Sequence, residues 1–116
     1  MNLLQETLDA MDDNNLVPND ISFIGSSDGE YQCTWDEYKF IANFEYDDGY
    51  GGQEVACDLV VRFNNGIYFD RGEYDGSEWW DINGRPFESS DNPKKFTNLR
   101  TMGWMTSIEE IDKEQD

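Results

Sequence analysis

Between Gln53 and Phe63 the side chains take turns: Val55, Cys57, Leu59, Val61 and Phe63 alternate with Glu54, Ala56, Asp58, Val60 and Arg62. A period of two puts the first set on one face of an extended chain and the second set on the other. The run therefore reads as a half-buried β-strand. It stops at Asn64-Asn65-Gly66, where Asn-Gly tolerates the positive φ angles of a type I′ hairpin turn. Ile67 to Tyr74 then returns antiparallel. Asp75-Gly76 makes the next turn, Glu78 to Ile82 the next strand and Asn83-Gly84 a further turn, which together give an antiparallel meander.

Upstream, Leu4, Leu8 and Met11 recur at helical spacing with Leu3 beside them, while Glu6, Asp9, Asp12 and Asp13 take the other side. This predicts a short N-terminal helix within residues 1–15, with acids at its C-terminal end that oppose the helix dipole and fray it. Pro18-Asn19-Asp20 reads as a turn, Ile21 to Gly25 as a strand, and Glu30 to Cys33 as its continuation after the Ser26-Ser27-Asp28-Gly29 turn. Thr34-Trp35-Asp36-Glu37 has the form of a capping box and starts a helix to about Phe44, with Tyr38, Ile41 and Ala42 inward. Arg85 to Lys95 reads as loop. Phe96 to Met105 is expected to add an edge strand with Trp104 inward, Ser107 to Glu110 to cap a last helix, and residues 112–116 to form a loose tail. The predicted architecture is one α+β domain over residues 1–116: an antiparallel sheet of four to six strands in a meander, one packed helix and a short N-terminal helix.

The composition narrows the chemistry. Histidine is absent, which excludes Ser-His and Cys-His nucleophilic sites and histidine-ligated zinc. Cys33 and Cys57 are too few for a disulfide framework and read as reduced, buried small residues. No apolar run is long enough to span a bilayer, and acids stand where an export signal carries bases, so the expectation is a cytoplasmic protein with no membrane partner.

Charge is the outstanding property. With 26 acids against 8 bases the formal net charge is −18. From Met1 to Val61 fourteen acids face one base, Lys39, leaving −13 on that half. Such a field repels nucleic acid and draws a basic surface into fast, salt-dependent encounter. Duplex DNA carries one negative charge per roughly 1.7 Å of axis, so carboxylates in comparable rows can occupy a groove built for phosphates. A surface kept acidic only for solubility usually mixes both signs, and this half does not.

The run Gly72-Glu73-Tyr74-Asp75-Gly76-Ser77-Glu78-Trp79-Trp80-Asp81 is the densest in costly residue types. Paired carboxylates near tryptophans, Glu73 with Glu78 or Asp75 with Asp81, resemble the layout of a glycosidase site, but the chain is short for such an enzyme and the expectation is a non-catalytic protein. Glu45 to Gly49 with Asp70 to Asp81 offers oxygen ligands of the kind calcium takes, without EF-hand spacing, and turn acids facing water explain it as well. No metal and no cofactor are expected. Trp79 and Trp80 cannot share a face of a regular strand, so one belongs to the core while the other turns outward as a contact rimmed by acids.

Gly49-Tyr50-Gly51-Gly52-Gln53-Glu54-Val55-Ala56-Cys57-Asp58-Leu59-Val60-Val61, followed by Arg71-Gly72-Glu73-Tyr74-Asp75-Gly76-Ser77-Glu78-Trp79-Trp80, resembles a set of small acidic phage and prophage proteins. The resemblance spans about residues 22 to 82. It brings no catalytic residues and implies a phage context, in which small acidic proteins are often DNA-mimicking inhibitors of host defence of the anti-restriction or anti-CRISPR type. The expected partner is therefore a basic nucleic-acid-binding protein, a host nuclease or CRISPR effector, with no direct contact to nucleic acid. The expected contact residues are Asp36, Glu37, Glu45, Asp47, Asp48, Asp70, Glu73, Asp75, Glu78, Trp79, Trp80 and Asp81. The alternatives are a phage regulatory or structural protein that uses the aromatic face, and a calcium- or carbohydrate-binding module.

Overall fold

The Thr34 capping box forms as read: Glu37 N–H donates to Thr34 Oγ1 at 3.1 Å and Thr34 N–H to Glu37 Oε1 at 2.8 Å. It opens one of three helices in a computed structural model that describes residues 1–47, 53–74, 76–84, 91–101 and 106–114. In chain order the elements are α1 (Leu3–Asp13), a 3-10 turn (Pro18–Asp20), β1 (Ile21–Ser26), β2 (Tyr31–Cys33), α2 (Trp35–Ile41), β3 (Leu59–Phe63), β4 (Tyr68–Tyr74), β5 (Ser77–Asn83), β6 (Lys94–Lys95) and α3 (Ile108–Glu114). The strands form one sheet in the order β5-β4-β3-β1-β2-β6. It is antiparallel throughout except that β6 pairs parallel with β2, so the sheet is mixed. The α+β class and the β3-β4-β5 meander are as the sequence predicts.

The alternating run behaves differently from its pattern. Only Leu59–Phe63 joins the sheet, and all five residues are buried because β3 lies between β1 and β4. On the second face Arg62 is covered by packing over the Tyr68 ring, 4.5 Å from its centroid. Residues 54–57 instead pair with the C-terminal segment, through Ala56 N–H to Leu99 O, Thr101 N–H to Glu54 O and Cys57 N–H to Thr106 O. Phe96 to Thr101 is thus no regular edge strand. That role falls to Lys94–Lys95, and Trp104 lies outside the described residues.

The Asn64-Asn65-Gly66 turn is also of another type. Gly66 N–H bonds Phe63 O at 3.1 Å, Phe63 N–H bonds Ile67 O at 2.9 Å, and only Gly66 has positive φ, +91°. This is a three-residue hairpin loop, a type I turn closed by a left-handed glycine, in place of type I′. At Gly25 a different constraint acts: a Cβ there would lie 1.8 Å from Tyr31 O, so β2 can approach β1 only over glycine.

All three helices contribute to one core. Leu3 and Met11 of α1, Tyr38 of α2 and Ile108 and Ile111 of α3 pack with Ile24, Leu59, Val61, Phe69 and Trp80 of the sheet. α1 buries Leu3, Thr7 and Met11 and leaves Leu8 at the surface, because Thr7 finds polar partners inside. It does not end loosely: Asn14 Nδ2 donates to Ala10 O, and Asn15 turns left-handed (φ 56°) so that Leu16 N–H reaches Met11 O. α3 runs through Glu114, so residues 112–114 are helical and the expected loose tail begins too early. Ser107 and Glu110 exchange hydrogen bonds at its start, and Asp58 accepts from Ile108 N–H at 2.8 Å. The radius of gyration, 13.2 Å, fits one domain of this length, for which about 13 Å is expected.

Candidate partner-binding surface

The β4–β5 hairpin carries two unlike faces, set by its register. Arg71 stands opposite Trp80, Gly72 opposite Trp79, Asp70 opposite Asp81 and Glu73 opposite Glu78. Alternation sends Phe69, Arg71, Glu78 and Trp80 toward the helices and Asp70, Gly72, Tyr74, Trp79 and Asp81 away from them.

The inner face holds a buried charge cluster. Arg71 Nη1 lies 3.2 Å from Glu6 Oε1 on α1, while Nη2 lies 3.1 Å from the Tyr46 hydroxyl and 3.5 Å from Glu78 Oε1. The side chains of Arg71 and Glu78 are wholly buried. The guanidinium stacks on Trp80, 4.7 Å from its centroid, and its Nε has no hydrogen-bond partner among the described residues. Tyr46 also donates to Glu6 at 2.6 Å. Glu78 accepts from the backbone N–H groups of Glu54 at 2.8 Å and Val55 at 3.3 Å. Burial alone pulls the Arg71 pKa down, but Glu6, Tyr46 and Glu78 outweigh it and hold the group firmly charged. Burial pushes the Glu78 carboxyl up against the pull of the two amides and Arg71. The Tyr46 phenol is raised by burial. Beside this cluster Thr7 Oγ1 bonds Leu3 O and the Tyr38 hydroxyl, each at 2.8 Å, and accepts from Trp80 Nε1 at 3.2 Å. Two polar networks, one on Arg71 and one on Thr7 and meeting at Trp80, thus join α1, α2, the Tyr46 segment and the hairpin.

Glu78 and Trp80 are therefore not partner contacts. Both are spent on the interior, Glu78 as the counter-charge and backbone anchor and Trp80 as the apolar wall beneath Arg71. This corrects their selection from sequence, where their position beside exposed neighbours hid which face each took.

The outer face carries the other tryptophan. Trp79 is 38% exposed and donates from Nε1 to Asp81 Oδ1 at 2.8 Å, and Tyr74 is 77% exposed. Asp70 is half-buried and accepts from Asn83 Nδ2 at 2.8 Å. Glu73, opposite Glu78 and so on the inner side of the hairpin, is half-buried and receives Gly76 N–H at 3.4 Å. The remaining selected acids lie on other elements. Asp36 and Glu37 are exposed in the first turn of α2, where Asp36 meets Lys39 and Glu37 meets Lys95, each at 3.2 Å. The backbone N–H of Thr34 and then the Lys95 ammonium hold the Glu37 carboxyl below its ordinary range. Glu45 pairs with the Met1 amino group at 3.3 Å. Asp47 is exposed, and its backbone N–H bonds Glu54. Asp48 and Asp75 lie outside the described residues. The fold thus gathers Asp70, Trp79 and Asp81 on one face and leaves Asp36–Glu37 and Glu45–Asp47 on separate elements.

Among the described residues the cations are already engaged. Lys39, Lys95, Arg100 and Lys113 each pair with a carboxylate, Lys94 sits over the Tyr31 ring, and Arg62 and Arg71 are buried. Among the described residues no ion pair involves Asp9, Asp12, Asp13, Glu30, Asp47 or Asp81, all exposed. The α1 acids belong to the acidic first half read from sequence without being named as individual contacts, and Tyr74 was not named as a contact at all. The cross-strand parity of Tyr74 with Trp79 was the signal that could have found it. Also among the described residues, no three His, Cys, Asp or Glu side chains converge in a way that could hold a metal ion. No helix is long and apolar enough to cross a membrane. A cleft of about 170 Å³ between the 3-10 turn, β1, β2 and the start of α2 is lined by Phe23, Gln32, Cys33, Thr34 and Trp35 among others. Burial pushes the Cys33 thiol there up to about 12, which leaves it inert. No protein family model, curated protein or solved structure matches this chain.

Proposed function

We propose that this protein is a non-catalytic inhibitor that occupies the basic nucleic-acid channel of a host defence nuclease or CRISPR effector, with its carboxylates standing in for phosphates. The observation that carries this reading is the state of the surface charge: the described lysines and arginines are engaged, while a large set of exposed acids is not. The excess negative charge is therefore a field directed outward, of the kind that steers association with a basic surface. The test is charge reversal with the fold monitored. Asp9→Lys/Asp12→Lys/Asp13→Lys and Asp47→Lys each change exposed positions, so the circular dichroism spectrum stays native while capture of basic nucleic-acid enzymes from a bacterial lysate is lost. Undiminished capture by a variant reversed at all four positions refutes the proposal.

A second reading is favoured by the exposed pair Tyr74 and Trp79: an interaction module whose aromatic face meets a partner that is not basic. It predicts capture that is indifferent to salt and to charge reversal but lost in Trp79→Ala.

A further inference from the structure

The Trp79 side chain is pinned to a glycine floor. A Cβ placed on Gly72 would lie 2.3 Å from Trp79 Nε1, 2.5 Å from Trp79 Cε2 and 2.8 Å from Asp81 Oδ2. The indole edge and the carboxylate thus both lie directly on the Gly72 backbone, in space that any side chain there would fill. The indole N–H is consumed by Asp81 at 2.8 Å, so the ring has no polar valence left for a partner, and what the 38% exposed side chain offers is aromatic surface. Asp70, the cross-strand neighbour of Asp81, stands on the same face of the hairpin. A ring fixed in place by a hydrogen bond loses little freedom on binding, and donation to a carboxylate makes its π cloud more electron-rich.

We propose that Trp79, Asp81 and Gly72 form a preorganised seat for one arginine side chain of the protein partner. The guanidinium lies flat on the indole face, and its N–H edge reaches the Asp81 carboxylate, which accepts from a planar fork better than from an ammonium. The chemistry of the seat selects this occupant. An aromatic face bordered by carboxylates on a chain of net charge −18 favours a cation, and the planar cation matches the ring. The inference rests on the partner being basic, as proposed above, and adds to it a contact that reads the type of cation as well as its charge.

The test uses the full chain, labelled with 15N, and two blocked peptides of equal length and charge, one bearing arginines and the other lysines. The indole N–H resonance missing from Trp79→Ala identifies Trp79 among the four tryptophans. The arginine peptide shifts this resonance saturably and binds about threefold more tightly than the lysine peptide. Trp79→Ala abolishes that preference, Asp81→Asn reduces it, and Gly72→Ala abolishes it with the indole still present because the ring is lifted from its floor. The backbone spectrum reports that each variant is folded. Equal affinity for the two peptides, unchanged in Trp79→Ala, overturns the arginine seat while leaving a diffuse acidic field and the inhibitor reading intact. Saturation of the Trp79 resonance by a neutral oligosaccharide, with no response to the arginine peptide, overturns the seat in favour of sugar stacking.

Discussion

Replacing Arg71 by Met tests the idea that a buried charge cluster ties the N-terminal helix to the hairpin. Met keeps much of the apolar stem and removes the cation, so three groups lose their partner: Glu6, Tyr46 and Glu78. Glu6 is near the surface, its side chain 12% exposed, and it recovers water. Glu78 is wholly buried and cannot. Breaking a buried pair by removing one partner costs about 3–5 kcal/mol. The amides of Glu54 and Val55 still bond Glu78, which favours the lower end of that range. A domain of 116 residues has roughly 6–17 kcal/mol of total stability, so the loss is a large share of it. At about 3–6 °C per kcal/mol, the melting temperature falls by roughly 10–20 °C. Urea unfolding followed by tryptophan fluorescence measures it, with Trp80 stacked on Arg71 as the reporter. The double variant Arg71→Met/Glu78→Gln removes the stranded charge and recovers part of the loss, because the Gln oxygen still accepts from Glu54 N–H while its NH2 group cannot accept from Val55 N–H. A loss below about 1 kcal/mol for Arg71→Met, or no recovery in the double variant, refutes the argument.

Stability rises when the pH is lowered from neutral toward the carboxylate range. Burial raises the folded-state pKa of Glu78 and of Asp58, so just above their ordinary values the folded chain binds more protons than the unfolded one, and stability falls as pH rises through that window. Relief of self-repulsion at −18 acts in the same direction, and a melting temperature that declines steadily from pH 7 to pH 5 contradicts both. Gly25→Ala places a methyl against the Tyr31 carbonyl, a backbone atom that cannot rotate away, so it separates β1 from β2 and costs about 3 kcal/mol or more by denaturant unfolding. Cys33, whose thiol burial pushes up to about 12, stays unmodified by a thiol reagent in the native protein at pH 8 and reacts once the chain is unfolded; fast native labelling at Cys33 refutes its burial.

What the sequence made legible was local. The Thr34–Glu37 box needs only residues three apart, and the opposed fates of Trp79 and Trp80 follow from the pleat alone. What it concealed depends on distant partners. Arg71 meets Glu6 across 65 residues and Tyr46 across 25, so nothing near Glu78 announced that its carboxylate belongs inside. Thr7 displaced Leu8 from the buried stripe because Tyr38 and Trp80 supply partners for its hydroxyl. Residues 54–57 continue the alternation in sequence, yet they pair with the C-terminal segment and bury Val55 and Ala56 together, a choice set by long-range backbone hydrogen bonds that periodicity cannot rank. The candidate surface was legible as charge but only partly as geometry, since separate elements carry Asp36–Glu37, Glu45–Asp47 and Asp70–Asp81.

The claim that carboxylates stand in for phosphates is tested most directly by competition. The protein is immobilised, a basic nucleic-acid enzyme is captured from bacterial lysate at about 50 mM salt, and duplex DNA is added in increasing amounts. Mimicry predicts that DNA displaces the captured enzyme completely, and that capture collapses by about 200 mM salt. An enzyme that stays bound at saturating DNA, or binds the protein and DNA together, contradicts it.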